Sequence, residues 1–115
     1  MRKMFAVLSA VVMVATLFIG GAQPGAAGLF PSPWDKLAHA LFFFLLVMLL
    51  RLGLNLPLWF LAVAAAALGA ADEIHQLSLP GRSAGFDDWL ADVAGLLGAV
   101  MILRLFRCFE ATKQA

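Results

Sequence analysis

Three short groups of polar residues interrupt an otherwise apolar chain. Asp35, Lys36 and His39 form the first, Asp72, Glu73 and Gln76 the second, and Asp87, Asp88 and Asp92 the third, with a Pro80-Gly81-Arg82 turn between the last two. The stretch 71–98 alone holds five of the seven acidic residues. Charge at the edge of a membrane-length apolar segment is costly, so by default it marks a pathway, a site or a specific pairing. An imidazole beside carboxylates suits general acid–base work. Carboxylates beside lysine and arginine suit the binding of a charged group. His39, Glu73 and Asp88 are also chemically able to hold a metal. Neither a His-Glu-x-x-His pattern nor a pair of cysteines is present, so the reading is no metal and no cofactor.

The elements that position these groups are set by hydrophobicity. Of the 115 residues, 63% are hydrophobic and 13% charged. Small soluble domains leave much of their surface in water and could not hide so much apolar area. Lipid as solvent removes that difficulty, and the chain reads as one integral membrane domain over residues 1–115. The net charge of +1 argues against a nucleic-acid partner, which requires a basic face. The lone Cys108 can form no internal disulfide.

Four apolar runs are expected to be helices, at about residues 4–22, 36–51, 57–76 and 88–106. About 20 residues cross the hydrocarbon core. The second run reaches that length when Asp35, Lys36 and Arg51 snorkel to the interfaces. The fold class is therefore all-α, a four-helix transmembrane bundle. Threading it puts Arg2, Lys3, Arg51, Arg104, Arg107 and Lys113 on one side, against Lys36 and Arg82 on the other. That asymmetry predicts both termini in the cytoplasm. Loops 23–34 and 77–86 then face outward, and the short link 53–56 makes the second and third helices antiparallel neighbours. A charged start, an apolar core and small residues near 22–27 also describe a signal peptide. The length of the first run favours a retained helix.

With this topology the polar residues gather at the outer ends of helices two, three and four. His39 and Asp92 lie only about 6 Å inside their helix starts, at about 1.5 Å per residue. Asp35, Asp87 and Asp88 also suit a helix N-terminus by capping and the macrodipole alone. Asp72 and Glu73 do not, because they close a helix where the macrodipole disfavours negative charge. A cation is expected to answer them, and an Arg82 pair with Glu73 or Asp72 is the specific expectation. His75 reads as peripheral. The Phe42-Phe43-Phe44 cluster reads as lipid-facing or packing bulk. Gly95 and Gly98, with Ala91, Ala94 and Ala99, read as a close-packing face.

The segments DKLAH at 35–39, DEIHQLSLPGR at 72–82 and DDWLADVAGLLG at 87–98 resemble the VanZ-like family of small bacterial membrane proteins. The matching positions are Asp35, Lys36 and His39, then Glu73, Gln76, Pro80, Gly81 and Arg82, then Asp88 and Gly95. Asp92 departs from the pattern, which has asparagine there. The resemblance implies a multi-pass protein of the bacterial inner (cytoplasmic) membrane, related to one associated with teicoplanin (glycopeptide) resistance. It brings no established reaction.

Two functional readings follow. In the favoured one the chain is not an enzyme, and its outward polar cluster binds an envelope component such as a lipid headgroup, a cell-wall precursor or a lipoglycopeptide. The ligand-binding candidates are Asp35, Lys36, His39, Glu73, Gln76, Arg82 and Asp88. The alternative is a small membrane-embedded enzyme acting on a lipid-linked or cell-wall substrate. There His39 serves as base, oriented by Asp35 or Asp88, Glu73 as acid, and Arg82 stabilises anionic charge. The expected partners are membrane lipids, a lipid-linked or cell-wall ligand, and further copies of the chain or a larger membrane assembly.

Overall fold

The computed structural model describes residues 1–20, 22, 34–79 and 85–114. Among these, the elements are α1 (Arg2–Ala15), a π-helical segment (Thr16–Gly20), α2 (Trp34–Gly53), α3 (Leu58–Leu77) and α4 (Phe86–Gln114), with no strand. The first run thus breaks into two helical forms rather than one. Thr16 Oγ1 donates to the Val12 carbonyl at 2.8 Å, a back-bond that competes with regular helix pairing where the π-turn begins. The fourth helix runs past the expected 106 to Gln114, because nothing in its polar tail breaks a helix.

Helix ends follow the local chemistry. Asp35 opens α2 and Arg51 lies in its last turn, each favourable to the macrodipole. Pro57 precedes α3 in an extended conformation (φ −60°, ψ 147°), which stops α2 from running on. Arg51 Nη1 donates to the Leu56 carbonyl at 2.6 Å and ties down the turn between α2 and α3. Asp87 and Asp88 occupy the first turn of α4.

α1 with its π-helical continuation (Arg2–Gly20), α2, α3 and α4 are each long and apolar enough to cross a membrane. The interior is built from Phe43, Leu46 and Val47 of α2, Leu61 and Ala65 of α3, and Leu96 and Ala99 of α4. Ala6 and Ala10 are the buried residues of α1, and Ala10 joins the same core. Phe43 is therefore core, while Phe42 and Phe44 are partly buried and pack against it. Phe5, Trp59, Val63, Met101 and Leu105 stay exposed, the apolar exterior a lipid-facing protein carries.

Lipid tails are as apolar as leucine, so helix association here rests on close packing rather than on exclusion of water. The α2–α4 contact has the least room. A Cβ added to Gly95 would lie 2.8 Å from Ala40 Cα and closer still to its carbonyl, so the two backbones touch there. At Gly98 a Cβ would meet Phe44 Cδ2 at 3.7 Å, an ordinary contact. The small-residue face therefore packs closely at Gly95 and has spare room at Gly98. Gly95→Ala is expected to destabilise the purified protein by about 1–3 kcal/mol. Gly98→Ala should be neutral or stabilising by up to about 1 kcal/mol. Denaturant unfolding in detergent micelles followed by circular dichroism measures both.

Candidate functional site

The first turns of α2 and α4 meet through Lys36. Its ammonium lies 3.1 Å from Asp35 Oδ2 and 3.2 Å from Asp87 Oδ2, and it also bonds Asp88 Oδ1. Asp88 is largely buried at 15% side-chain exposure, whereas Asp87 is 71% exposed and adds little through water. Lys36 thus pins one helix start to the other. All three of its ammonium protons have a carboxylate to go to.

One turn deeper the same two helices are joined a second time. His39 Nδ1 lies 2.8 Å from Asp92 Oδ1, with Asp92 wholly buried. Asp92 fits because α3 presents Gly69 to it. A Cβ there would stand 3.0 Å from Asp92 Oδ2 and 3.4 Å from Trp89 Cδ1. Trp89 itself donates its indole N–H to the Ala66 carbonyl at 3.0 Å, fastening α4 to α3.

The carboxylates that close α3 are inside the protein. Asp72 is 1% exposed and Glu73 9%. Among the described residues the hydrogen bonds to them come from neutral donors. Gln76 Nε2 donates to Asp72 Oδ2 at 2.9 Å, and the Gly85 backbone N–H donates to Glu73 Oε2 at 3.2 Å. Gln76 stands one helical turn from Asp72 and Gly85 on the chain approaching α4, while Glu73 Oε1 accepts no hydrogen bond among the described residues. Arg82, with Pro80 and Gly81, lies outside the described residues, and so do the proposed Glu73–Arg82 and Asp72–Arg82 pairs.

Two assignments change in detail. Asp35 and Asp88 both face Lys36, so neither orients His39. Asp92 does, because it lies on the α4 turn that reaches the ring. Ser78 donates to the His75 carbonyl at 2.7 Å. The His75 ring stacks at a tilt on Phe18, 5.5 Å between centroids. Cys108 is exposed on the far part of α4.

Three features of the site escaped the sequence reading: Gly69 as the seat for Asp92, Trp89 as a clamp, and Asp92 as the partner of His39. The only available signal was spacing. Gly69 precedes Glu73 by four residues, and Trp89 stands next to Asp88, but neither position announces its role. Beside Glu73 lies a cleft of about 420 Å³, walled by Ala70, Ile74, Leu77, Phe86 and Trp89, with Gly85 at its edge. Apart from that carboxylate its side-chain lining is almost wholly apolar.

Together these features define a four-helix, multi-pass membrane protein with a carboxylate-rich site at one end of the bundle and an apolar cleft opening beside it. The chain belongs to the VanZ/LLP1 family, whose sequence model matches residues 3–107. Comparison with curated proteins and with solved structures finds no match for this chain.

The two α2–α4 links predict coupling. In a double-mutant cycle, Lys36→Met and Asp88→Asn should show an interaction energy of about 0.5–3 kcal/mol in micellar unfolding, as contacting groups of one network do. Strict additivity of the two substitutions would mean that Lys36 is held by the other two carboxylates alone.

Proposed function

We propose that this VanZ/LLP1-family protein binds an amphiphilic component of the bacterial envelope at the extracytoplasmic end of its bundle. In this reading the termini are cytoplasmic, as the distribution of basic residues argues. The apolar part of the ligand lies in the cleft between α3 and α4, and its polar part reaches Glu73 and the groups behind it. The observation that carries the reading is the cleft itself. It is a lipid-sized apolar groove against which one nine-tenths-buried carboxylate stands. Binding sites of this kind are mostly apolar, with a few placed polar groups that fix orientation. A lipid-linked cell-wall precursor, a lipid headgroup with its chain, or a lipoglycopeptide would each satisfy it. The last connects the site to teicoplanin-type resistance.

Lys36 has less to offer a ligand than its charge suggests, since three carboxylates already surround it. Within the ligand-binding set Asp35, Lys36, His39, Glu73, Gln76, Arg82 and Asp88, the first two and Asp88 therefore act as a brace. Gln76 holds Asp72. Glu73 and His39 face the site, and Arg82 is assigned the remaining anion contact.

A second reading rests on the His39–Asp92 contact. An imidazole whose one nitrogen is held by a buried carboxylate is oriented as a general base often is. Glu73 stands close enough to serve as acid. Such an enzyme would activate water against a lipid-linked substrate: among the described residues Ser78 is engaged with backbone and Cys108 is exposed on the far part of α4. The binding reading accounts for the apolar cleft and needs no nucleophile.

Expression of the chain in a glycopeptide-susceptible host tests the first reading. Wild type should raise the inhibitory concentration of a teicoplanin-type lipoglycopeptide. Glu73→Ala and Arg82→Ala should return it to the vector baseline, and Cys108→Ser should leave it raised. A raised concentration in both alanine variants at wild-type membrane abundance rules out the site. Mass spectrometry of lipids co-purified with the protein gives the direct measure. Trp89→Ala, which strips a wall of the cleft, should reduce the bound amphiphile several-fold.

A further inference from the structure

His39, Glu73 and Asp92 come from three different helices, yet each offers a ligand atom within 4.8 Å of the other two. Two ligands that share an ion at about 2.0–2.2 Å stand at most about 4.4 Å apart. The three atoms, none more than 4.8 Å from another, are brought to ligand spacing by side-chain adjustment. On each of the two carboxylates one oxygen, Glu73 Oε1 and Asp92 Oδ2, is buried and accepts no hydrogen bond among the described residues. Glu73 is 9% exposed and Asp92 0%. A buried carboxylate oxygen left without a donor is expensive, and buried charges are normally paired or bound to metal.

The surrounding charge points the same way. Lys36 is committed to Asp35, Asp87 and Asp88, and Asp72 is held only by the neutral Gln76 amide. Among the described residues Asp92 thus has only the His39 imidazole as an ion-pair partner, and Glu73 has none. One imidazole nitrogen and two carboxylates form a ligand set of intermediate hardness, suited to Zn²⁺, Mn²⁺ or Fe²⁺, with no thiolate to favour softer ions.

We propose that His39, Glu73 and Asp92 bind one divalent transition-metal ion, which holds α2, α3 and α4 together at the polar end and leaves coordination positions for water or an exogenous ligand. This site shares Glu73 with the amphiphile reading but does not rest on that reading: it stands on the triad alone, whether or not anything enters the cleft. The competing state is the same pocket with protons in place of the metal.

Untagged protein in detergent, stripped with chelator and dialysed, is titrated with Zn²⁺ and separately with Mn²⁺ by calorimetry, and retained metal is counted by mass spectrometry. The expected result is one ion per chain and a higher unfolding temperature, reversed by chelator. His39→Ala, Glu73→Gln and Asp92→Asn should each weaken binding by at least about tenfold, the loss seen even for outer-shell changes at metal sites. His75→Ala and Cys108→Ser should bind as wild type. Failure of wild type to retain stoichiometric metal overturns the site and leaves protonated carboxylates as the occupants. Folded triad variants that bind like wild type overturn it equally. Should a variant fail to fold, Co²⁺ loaded into wild type decides. Intense visible bands of a low-symmetry nitrogen–oxygen site support the proposal, and the weak spectrum of the hydrated ion rejects it. Wild type that retains amphiphile but binds no stoichiometric metal would sink this site while leaving the cleft reading in place.

Discussion

Everything at the polar end of the bundle is arranged around the burial of Asp92. A carboxylate with no exposed surface, set among apolar helices, must be given hydrogen-bond donors and physical room. Here α2 gives the donor through His39, and α3 gives the room by having no side chain at Gly69. Those two requirements fix how α2, α3 and α4 are rotated relative to one another. The Lys36 brace one turn nearer the helix ends then closes over the same contact. With hydrophobic exclusion absent in lipid, such polar links supply the specificity that packing alone lacks.

The close approach of Gly95 to Ala40 belongs to the same constraint. Three residues beyond Asp92 on α4, it lets the backbones of α2 and α4 touch just below the His39–Asp92 pair. A bulkier residue would lift α4 away and pull the carboxylate from the ring. The polar site and the tightest packing contact are thus successive turns of one interface.

Much of this was legible in the sequence. The four spans follow from runs of apolar residues, and the gathering of three polar groups at one end follows from threading those spans. What spacing could not give is partnership. Lys36 faces Asp35, Asp87 and Asp88 rather than a ligand, and His39 faces Asp92 rather than Asp35 or Asp88. Such choices depend on helix rotation, which the weak amphipathicity of lipid-facing helices leaves unspecified. The macrodipole argument for Asp72 and Glu73 identified the right residues as unusual. The described donors to them are an amide and a backbone N–H, and the expected Arg82 pair falls outside the described residues. Gly69 was invisible because a glycine among alanines carries no mark of what packs against it.

The length of α4 has a separate consequence. Its 29 residues, at about 1.5 Å each, span about 43 Å, against about 30 Å of hydrocarbon. With its first turn held among the acids, any excess over the hydrocarbon falls toward the other end, where Arg104, Arg107 and Lys113 line an exposed basic shaft. Local bilayer thickness therefore governs how far that basic shaft clears the phosphate layer, and a thicker membrane would draw it back among anionic headgroups.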